Sequence, residues 1–424
     1  MKSIVLFGAG KSATFLIDYL TNICTQNNWN LIIGDSNAET LQKKLIPSSA
    51  VHPVEIDVNN SSERAALVKK ADLVISLLPP ALHILVARDC LLNGKNLLTA
   101  SYTDKEINEL SSQIKEKNLI FLYEMGLDPG IDHMSAMQLI HRIHAAGGKI
   151  VEFRSHTGGL VAPESDDNPW HYKISWNPAN VVRAGSAGAI FKESGLIKET
   201  TYENIFRNPG LVDIKSVGQL AWYPNRDSIA YMPVYGLESA DSFIRTTLRH
   251  PDFCFGWQNL VSAGLTDDSL PIPVNIKTIS DWSQPLLPYV NVANKHLYDQ
   301  LGLFEIEPLP VNSRTSAKVL QTLLEKKWQM KDSDRDMILM LHEFVYEWKN
   351  KNHTLRSSLV VKGENSIRTA MAKTVGLPLG IAAKLILENK IHIKGLHIPI
   401  IPEIYEPVLQ ELSLHGIRFE EETT

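Results

Sequence analysis

A glycine-rich turn near the start of the chain carries the clearest chemical signal. Gly8, Gly10 and Ala13 follow the apolar run 4–7 and match the pattern G-x-G-x-x-A. In this pattern the first glycine makes a tight turn, the second lets the backbone approach a pyrophosphate, and the small third residue permits close packing of helix on strand. Asp35 follows a second apolar segment about twenty residues further on, where a ribose-binding carboxylate belongs. A loop aspartate that caps the next helix is the alternative; together with the strand pattern below, the signal predicts dinucleotide binding.

Two arginines further along the chain stand among small polar residues. Arg226 lies in the sequence YPNRDS (223–228), and Arg245 lies in IRTTLR (244–249) beside Thr246 and Thr247. A guanidinium flanked by hydroxyl or amide groups suits bidentate binding of a carboxylate. An exposed arginine without a ligand is the alternative.

Short apolar runs alternate with helical patterns over the first 130 residues. Buried strands are predicted at 4–7, 29–33, 51–58, 73–78, 96–100 and 119–123, and intervening helices at 62–70, 83–92 and 104–117. This alternation predicts an α/β fold with a Rossmann-type, doubly wound parallel sheet. Ligands of such sheets bind beyond the carboxyl ends of the strands, so one rim should hold residues 8–12, Asp35, Asp57, 78–79 and 100–102.

The chain beyond residue 130 predicts a second domain of α+β structure. Strands are predicted at 149–155 and 355–362, and the polar segment 163–173 suits either a solvated loop or one wall of a polar pocket. Residues 251–348 indicate a mainly helical insertion, clearest at 316–327 and 334–341. A helix over 369–387 is expected to be interrupted at 376–378, where the sequence reads Gly-Leu-Pro.

The composition excludes several classes of protein. The chain has 424 residues, of which 44% are hydrophobic and 21% charged, as expected for two or three folded domains. The formal charge is −5 without a basic block, so nucleic acid is not an expected partner. Three scattered cysteines fit a reducing compartment, and without a C-x-x-C or His/Cys cluster we predict no metal site. We see no signal peptide and no apolar run near the length of a membrane span, and we expect a cytoplasmic protein that acts on small molecules.

Six short motifs are spread over nearly the whole chain. They are GAG (8–10), SY (101–102), GLDPGIDH (126–133), AAGGK (145–149), GGL (158–160) and YPNRDS (223–228). With these motifs the chain resembles the glutamate-forming saccharopine dehydrogenases, also called saccharopine reductases. The passage GLDPGIDH followed by GGLVAPESDDNPWHYKISW is more specific than a dinucleotide pattern, because several unusual residues must occur in order.

The resemblance implies both an activity and an organisation. The activity is reversible oxidation of saccharopine to L-glutamate and 2-aminoadipate 6-semialdehyde with a nicotinamide cofactor, run reductively in lysine biosynthesis. Members of this family are usually homodimers whose C-terminal residues return to the first domain. We therefore expect a dinucleotide-binding domain at 1–130, joined by about residues 385–424; a substrate and dimerisation domain at 131–250 and 349–384; and a helical insertion at 251–348.

The resemblance also implies roles for individual residues. Asp128 is the candidate for binding the substrate amine and relaying a proton, because a carboxylate can hold a cationic iminium, and Tyr102 is a second candidate as a hydroxyl donor. Binding of a tricarboxylate such as saccharopine is assigned to Ser101, Tyr102, Asp128, Arg226, Arg245, Thr246 and Thr247. Cofactor contacts are assigned to Gly8, Gly10, Lys11, Ser12, Ala13, Asp35, Ser36, Asp57, Val58, Leu78, Ala100, Ser101, Leu127, Pro129 and Ser175.

Two departures from the fungal members bear on this assignment. Those proteins often have Cys just before the Gly-Gly-Leu and Arg after the second strand, whereas this chain has Thr157 and Asp35. An acid at the second place accepts from a free 2′-hydroxyl and repels a 2′-phosphate, so we expect NAD, with NADP as the alternative. Alternative functions are a relative that joins another amine and aldehyde, of carboxynorspermidine or opine type, and a dinucleotide-binding sensor without turnover. The two arginine motifs favour the tricarboxylate over a polyamine.

Overall fold

The structure is a computed structural model that describes residues 1–37, 41, 42, 45 and 48–423. The chain divides into two units. Met1–Arg142 and Ile367–Arg418 form the first unit, and Ile143–Ser366 forms the second together with the chain from Phe419 onward.

The first unit is built on a seven-stranded sheet in which all neighbouring strands run parallel. Its strands are β1 (Ser3–Phe7), β2 (Asn30–Asp35), β3 (Val51–Glu55), β4 (Leu73–Ser76), β5 (Asn96–Thr99), β6 (Ile120–Leu122) and β16 (Gly395–His397). Their order in the sheet is β16-β6-β5-β4-β1-β2-β3, which contains the Rossmann order 3-2-1-4-5-6 with the late strand β16 added beside β6. The predicted fold class and all six predicted strands are confirmed.

Helices connect these strands and cover the sheet. In the first unit they are α1 (Thr14–Asn27), α2 (Ser61–Lys70), α3 (His83–Asn93), α4 (Lys105–Glu109), α5 (Ser111–Glu116), α13 (Ala370–Leu387) and α14 (Pro402–Leu414), while α6 (Ile131–Ala145) begins in the first unit and ends in the second. The predicted helices at 62–70 and 83–92 are confirmed, and the one at 104–117 is divided at Leu110 into α4 and α5. Buried apolar strand residues form the core; the side chains of Val5, Phe7 and Val74 have no exposed surface.

Helix α13 differs from its sequence-based prediction. It runs through Pro378 without the expected interruption, and residues up to 384, which we assigned to the substrate domain, belong to the first unit. The two glycines permit close packing on α1: a Cβ on Gly376 would lie 2.9 Å from the backbone nitrogen of Leu16, and one on Gly380 would lie 2.6 Å from the ring of Tyr19. This tertiary packing outweighs the local tendency of glycine and proline to end a helix.

The same helix is long and apolar enough for a membrane span by length and composition, which the sequence analysis did not anticipate. It is the one such helix among the described residues, and 78% of it is buried inside the protein. A buried core helix passes the same test of length and composition, so this finding is weak evidence for a span.

The second unit is built on a mixed ten-stranded sheet. Its strands are β7 (Lys149–Val161), β8 (Ala189–Glu193), β9 (Leu196–Thr200), β10 (Gly210–Ile214), β11 (Gly218–Pro224), β12 (Arg226–Asp227), β13 (Ser242–Arg249), β14 (Asp336–Trp348), β15 (Lys351–Lys362) and β17 (Glu420–Thr423). The main path is β10-β11-β13-β7-β14-β15-β17, with β8, β9 and β12 beside it. Strand β13 pairs parallel with β7 and antiparallel with β11, and this places β13 near the middle of the sheet.

A helical segment contributes many of its buried side chains to a large hydrophobic core in this unit. It contains α9 (Pro251–Ser262), α10 (Ile279–Ser283), α11 (Lys295–Leu301) and α12 (Ser316–Lys327); two shorter helices, α7 (Pro178–Val182) and α8 (Met232–Tyr235), precede it. The core is rich in aromatic side chains, among which Trp170, Trp257 and Trp328 are fully buried. The predicted helix at 316–327 is confirmed in full.

The helix predicted over 334–341 is wrong, so the helical segment predicted to reach 348 ends at Lys327. Residues from Asp336 onward form β14, which lies between β7 and β15 and is buried on both faces over its first half. A strand covered on both faces has a continuous apolar run, and periodicity alone cannot tell such a run from a buried helix. The strands predicted at 149–155 and 355–362 are confirmed; β7 continues to Val161 and β15 begins at Lys351.

Candidate active site

The candidate cofactor residues of the first unit follow the carboxyl ends of its strands. Gly8 comes directly after β1, Asp35 ends β2, Leu78 comes shortly after β4, and Ala100 and Ser101 follow β5. Because the strands are parallel, all of these ends lie at the same edge of the sheet, where ligands of this fold bind.

The turn after β1 has the geometry that a dinucleotide requires. Gly8 has φ +98°, and a Cβ there would lie 2.7 Å from the carbonyl oxygen of Leu77, so this position needs glycine. A Cβ on Gly10 would meet no atom within 4 Å, which leaves room for a ligand against this backbone. Lys11, Ser12 and Ala13 then form a short 3-10 helix that leads into α1. The residues present therefore fit a pyrophosphate at this turn.

The carboxylate of Asp35 is fixed to the glycine-rich turn. Its Oδ2 accepts a hydrogen bond of 2.6 Å from the backbone nitrogen of Ala9, and its Oδ1 accepts one of 2.9 Å from that of Asn37. Two backbone donors hold this negative charge in one place at the end of β2. The neighbouring Ser36 is exposed.

The remaining cofactor candidates lie in three places. Asp57 is exposed after β3 and accepts from the backbone and side chain of Asn59, whereas Val58 is buried in the core. Leu127 and Pro129 are buried in the loop after β6. Ser175 is buried in the second unit, apart in the chain from all the others.

The two candidate catalytic side chains are brought together in the first unit. The Tyr102 hydroxyl donates a hydrogen bond of 3.1 Å to Oδ1 of Asp128. Tyr102 follows β5 and Asp128 lies in the loop after β6, so neighbouring strands position the pair. Both side chains are half-buried. The arrangement combines a carboxylate that can hold a cationic amine with a hydroxyl that can donate or pass on a proton.

The loop that carries Asp128 is closed by a glycine that cannot be replaced without rearrangement. The Asp128–Pro129 peptide bond is cis, and Gly130 follows at φ +147°. A Cβ on Gly130 would lie 2.1 Å from the carbonyl oxygen of Gly126. The backbone nitrogen of Gly126 donates to the carbonyl oxygen of Pro129 at 2.9 Å, which holds the loop as a tight turn.

A buried contact between a histidine and a glutamate supports the same region. Nε2 of His133 lies 2.8 Å from Oε2 of Glu124, whose other oxygen accepts from the backbone and hydroxyl of Thr103, next to Tyr102. Burial alone would raise the pKa of Glu124, but the hydrogen bond and charge of His133 outweigh it and hold that pKa below its usual value. The pair thereby ties the segment after β5 to α6.

His83 is a functional candidate that the sequence analysis did not identify. It begins α3 and is 4% exposed, with Nδ1 2.8 Å from the hydroxyl of Ser76 and Nε2 2.7 Å from the hydroxyl of Ser101. Burial lowers the pKa of His83 to about 4, so the ring is neutral at pH 7. One nitrogen then carries the proton and the other accepts, which fixes the Ser101 hydroxyl beside Tyr102. A histidine at the start of a helix that follows a rim strand was the available signal.

The two arginine motifs are adjacent in the second unit. Strands β11 and β13 pair Tyr223 with Thr247, and the backbone nitrogen of Asn225 donates to the carbonyl oxygen of Arg245 at 2.8 Å. Arg245 is 3% exposed, and its guanidinium lies 4.5 Å from the ring centre of Tyr231. Arg226 is exposed at φ +55° on the short strand β12.

Thr246 and Thr247 point to opposite faces of the sheet. Alternation along β13 puts Thr247 on the face of Arg245 and Thr246 on the other. The Thr246 hydroxyl is 2.7 Å from Nδ1 of His156, and Nε2 of that ring is 3.0 Å from Oε2 of Glu343. Burial raises the pKa of Glu343, but the hydrogen bond and charge of His156 and the neighbouring arginines outweigh it, and the pKa lies below its usual value. The structure therefore groups the side chain of Arg245 with Thr247 and not with Thr246.

Two domain models of one known family together match most of the chain. The Saccharopine dehydrogenase NADP binding domain matches residues 4–122, and the Saccharopine dehydrogenase C-terminal domain matches residues 126–417. The resemblance found in the sequence motifs is confirmed.

Individual relatives agree with these matches. The saccharopine dehydrogenase (NADP(+), L-glutamate-forming) of Saccharomyces cerevisiae is 31% identical over 100% of this chain and 99% of its own. A solved structure of the apo enzyme (L-Glu forming) from the same yeast superposes with a TM-score of 0.89 at 30% identity and covers 100% of both chains. The alpha-aminoadipic semialdehyde synthase of Arabidopsis thaliana is 31% identical over 99% of this chain but only 44% of its own length. The chain thus spans less than half of that longer protein.

Proposed function

Because the chain belongs to the saccharopine dehydrogenase family, we propose that it interconverts saccharopine with L-glutamate and 2-aminoadipate 6-semialdehyde. The observation that carries this proposal is the hydrogen-bonded pair Tyr102 and Asp128, which lies beyond strand ends of a sheet with a dinucleotide-binding turn. The reaction needs an amine held in place, a proton donor and a bound hydride carrier; in this proposal Asp128 holds the amine, Tyr102 handles the proton, and the turn after β1 holds the cofactor. In the cell we expect the reductive direction, as a step of lysine biosynthesis.

The reaction joins the amine of glutamate to the aldehyde, loses water, and reduces the resulting imine. The bound dihydronicotinamide supplies the hydride. The carboxylate of Asp128 binds the cationic amine and the iminium, whose positive charge is greatest just before reduction. The Tyr102 hydroxyl donates to that carboxylate and keeps it oriented. We assign to the same hydroxyl the transfer of the proton that leaves or enters with water.

We assign binding of the substrate carboxylates to residues of the second unit. Saccharopine carries three carboxylates, so its recognition requires several cations in fixed places. Arg245 is already held over Tyr231 and needs little reorganisation to bind one of them. Arg226, exposed and adjacent in the fold, is assigned another, with the Thr247 hydroxyl as a further donor.

For the cofactor we propose NAD(H) in preference to NADP(H). The support is the fixed carboxylate of Asp35, which suits a free ribose 2′-hydroxyl and repels a 2′-phosphate. The named fungal relatives use NADP(+), so the contrast is open to direct measurement. Replacement Asp35→Ala should lower the ratio of kcat/KM for NAD to that for NADP by at least tenfold, because the repulsion and the ribose hydrogen bond are both lost. A homodimer and a cytoplasmic location stay predictions; light scattering of the purified protein tests the first.

The experiment is an assay of cofactor reduction with saccharopine and, separately, NAD and NADP. The wild type should turn over, Asp128→Asn and Tyr102→Phe should lower kcat by at least tenfold, and Tyr289→Phe, which removes an exposed hydroxyl elsewhere, should not. No turnover of saccharopine with either cofactor would refute the proposal. Turnover of an opine or a carboxylated polyamine instead would move the chain to another amine-joining reaction.

A further inference from the structure

Two histidines and two aspartates that the proposed reaction does not use come together in the second unit. His171 lies in the segment after β7, and His250 and Asp252 lie at the beginning of α9. One ligand atom each from His171, His250 and Asp252 lies within 4.8 Å of the others. The centres of the two imidazole rings lie 3.7 Å apart, with 36° between the ring planes. The sequence predicts no metal site because it contains no C-x-x-C or His/Cys cluster, and His171 is distant in the chain from His250 and Asp252.

The separations between these groups are too long for hydrogen bonds and suit a shared cation. Nε2 of His171 is 3.7 Å from Oδ2 of Asp252, and Nδ1 of His250 is 3.5 Å from the same oxygen. A tetrahedral zinc site with bonds of about 2.0–2.1 Å places its ligand atoms about 3.3 Å apart. Two of the three pairs of ligand atoms are therefore within about 0.4 Å of the required separation, and rotation of the two imidazoles away from each other would complete the arrangement.

A fourth residue orients one of the ligands. Nδ1 of His171 hydrogen-bonds Oδ2 of Asp166 at 2.5 Å. This bond directs the lone pair of Nε2 toward His250 and Asp252 when the ring is neutral. Metal-binding histidines commonly have such a carboxylate on their other nitrogen, where it fixes the tautomer and raises the basicity of the ring.

We propose that His171, His250 and Asp252 bind one divalent zinc-type cation, with Asp166 as the supporting carboxylate and water in the fourth position. Imidazole nitrogen with a single carboxylate suits Zn²⁺ and its transition-metal neighbours rather than Mg²⁺ or Ca²⁺, which prefer several oxygens. Asp166 and Asp252 together balance the charge of the cation. On binding, Nδ1 of His250 would exchange its long hydrogen bond of 3.4 Å from the backbone nitrogen of Asp252 for the metal.

The cation would join two segments that are distant in sequence. Asp166 and His171 belong to the polar segment after β7, for which the sequence left open a loop or a pocket wall, while His250 caps α9. His171 has φ +52°, in the left-handed region that favours glycine and in which histidine is one of the more frequent other residues. Zinc binding is therefore expected to hold this segment against α9 and to raise the thermal stability of the second unit.

The test is titration of the full chain with Zn²⁺ after treatment with a chelator to remove metal. Calorimetry measures the stoichiometry, and competition with a chromophoric chelator measures the affinity. We expect one Zn²⁺ per chain, binding weakened at least tenfold in His171→Gly and His250→Ala, and binding weakened about tenfold to a hundredfold in Asp166→Asn. The exposed His392 of the first unit provides a matched control, and His392→Ala should bind as the wild type does. Co²⁺ in place of Zn²⁺ should give the visible absorption of a tetrahedral site, and His171→Gly should abolish it.

His171→Gly also separates a metal site from a merely structural cluster. Glycine readily adopts φ +52°, which offsets part of the loss of the hydrogen bond between His171 and Asp166, and only the wild type should gain stability from Zn²⁺. Equal zinc affinity in the wild type and in His171→Gly would overturn the proposal, as would no binding up to millimolar Zn²⁺.

Discussion

His83 should make the first unit sensitive to acid between pH 6.5 and 4. Its ring is buried between the hydroxyls of Ser76 and Ser101, and burial lowers its pKa from 6.5 to about 4. In the unfolded chain the ring takes up a proton near pH 6.5, whereas in the folded chain it resists protonation until about pH 4. The unfolded state therefore binds more protons over this window, and stability falls as the pH falls.

The size of the effect follows from the shift. A difference of 2.5 pKa units corresponds to about 3 kcal/mol at pH values below both pKa values, and to about 2 kcal/mol at pH 5. Replacement His83→Gln keeps a polar side chain but removes the titration. Between pH 7.5 and pH 5 the wild type should thus lose about 2 kcal/mol more stability than His83→Gln does.

Hydrogen exchange followed by mass spectrometry measures this difference in the first unit alone. Peptides from β5 and α3 are compared between the two proteins at each pH, so that the intrinsic pH dependence of exchange cancels. His392 is exposed in the same unit, so His392→Gln should show the same pH dependence of exchange as the wild type. Identical pH dependence in the wild type and His83→Gln would refute the reasoning and would mean that the ring titrates as it does in the unfolded chain.

Three further substitutions test the loop, the carboxylate and the arginine. Gly130→Ala should destabilise the first unit by more than about 2 kcal/mol in urea unfolding, because its Cβ would lie 2.1 Å from a carbonyl oxygen. Gly94→Ala, in the same unit and also at positive φ but with open space around it, should cost about 1 kcal/mol, and equal costs would contradict the steric argument. Arg226→Ala should raise KM for saccharopine about tenfold, or about 1.4 kcal/mol, with cofactor affinity unchanged in fluorescence titration; equal loss of both would indicate misfolding. Asp128→Ala should lower kcat and flatten its pH profile, and an unchanged profile would remove Asp128 from proton transfer.

The sheet of the first unit could be predicted from sequence because its signals are local. Each strand is a short apolar run, most of these runs are followed by a turn and a helical period, and the residue types at the strand ends identify the rim. The prediction failed where tertiary packing decides. Helix α13 continues through Pro378 because Gly376 and Gly380 let it pack closely on α1. Strand β14 was taken for a helix because both of its faces are buried.

The candidate site shows the same division. Tyr102 and Asp128 could be singled out from motifs, and their hydrogen bond follows from the adjacency of β5 and β6. Strand β13 is not among the predicted strands, so the alternation that turns Thr246 away from Arg245 does not follow from the sequence prediction. His83 could not be recognised because its importance comes from burial between partners that are distant in the chain.

Isotope labelling of the reductive reaction tests directly whether the protein joins glutamate to the semialdehyde and reduces the resulting imine. L-Glutamate and 2-aminoadipate 6-semialdehyde are incubated with the protein and a dihydronicotinamide that carries deuterium at both C4 positions, and the product is analysed by mass spectrometry. We expect saccharopine with one deuterium on the former aldehyde carbon, because the deuterium transferred from the cofactor reduces the imine formed there. Absence of labelled saccharopine, or deuterium on the α-carbon of the glutamate portion, would contradict it.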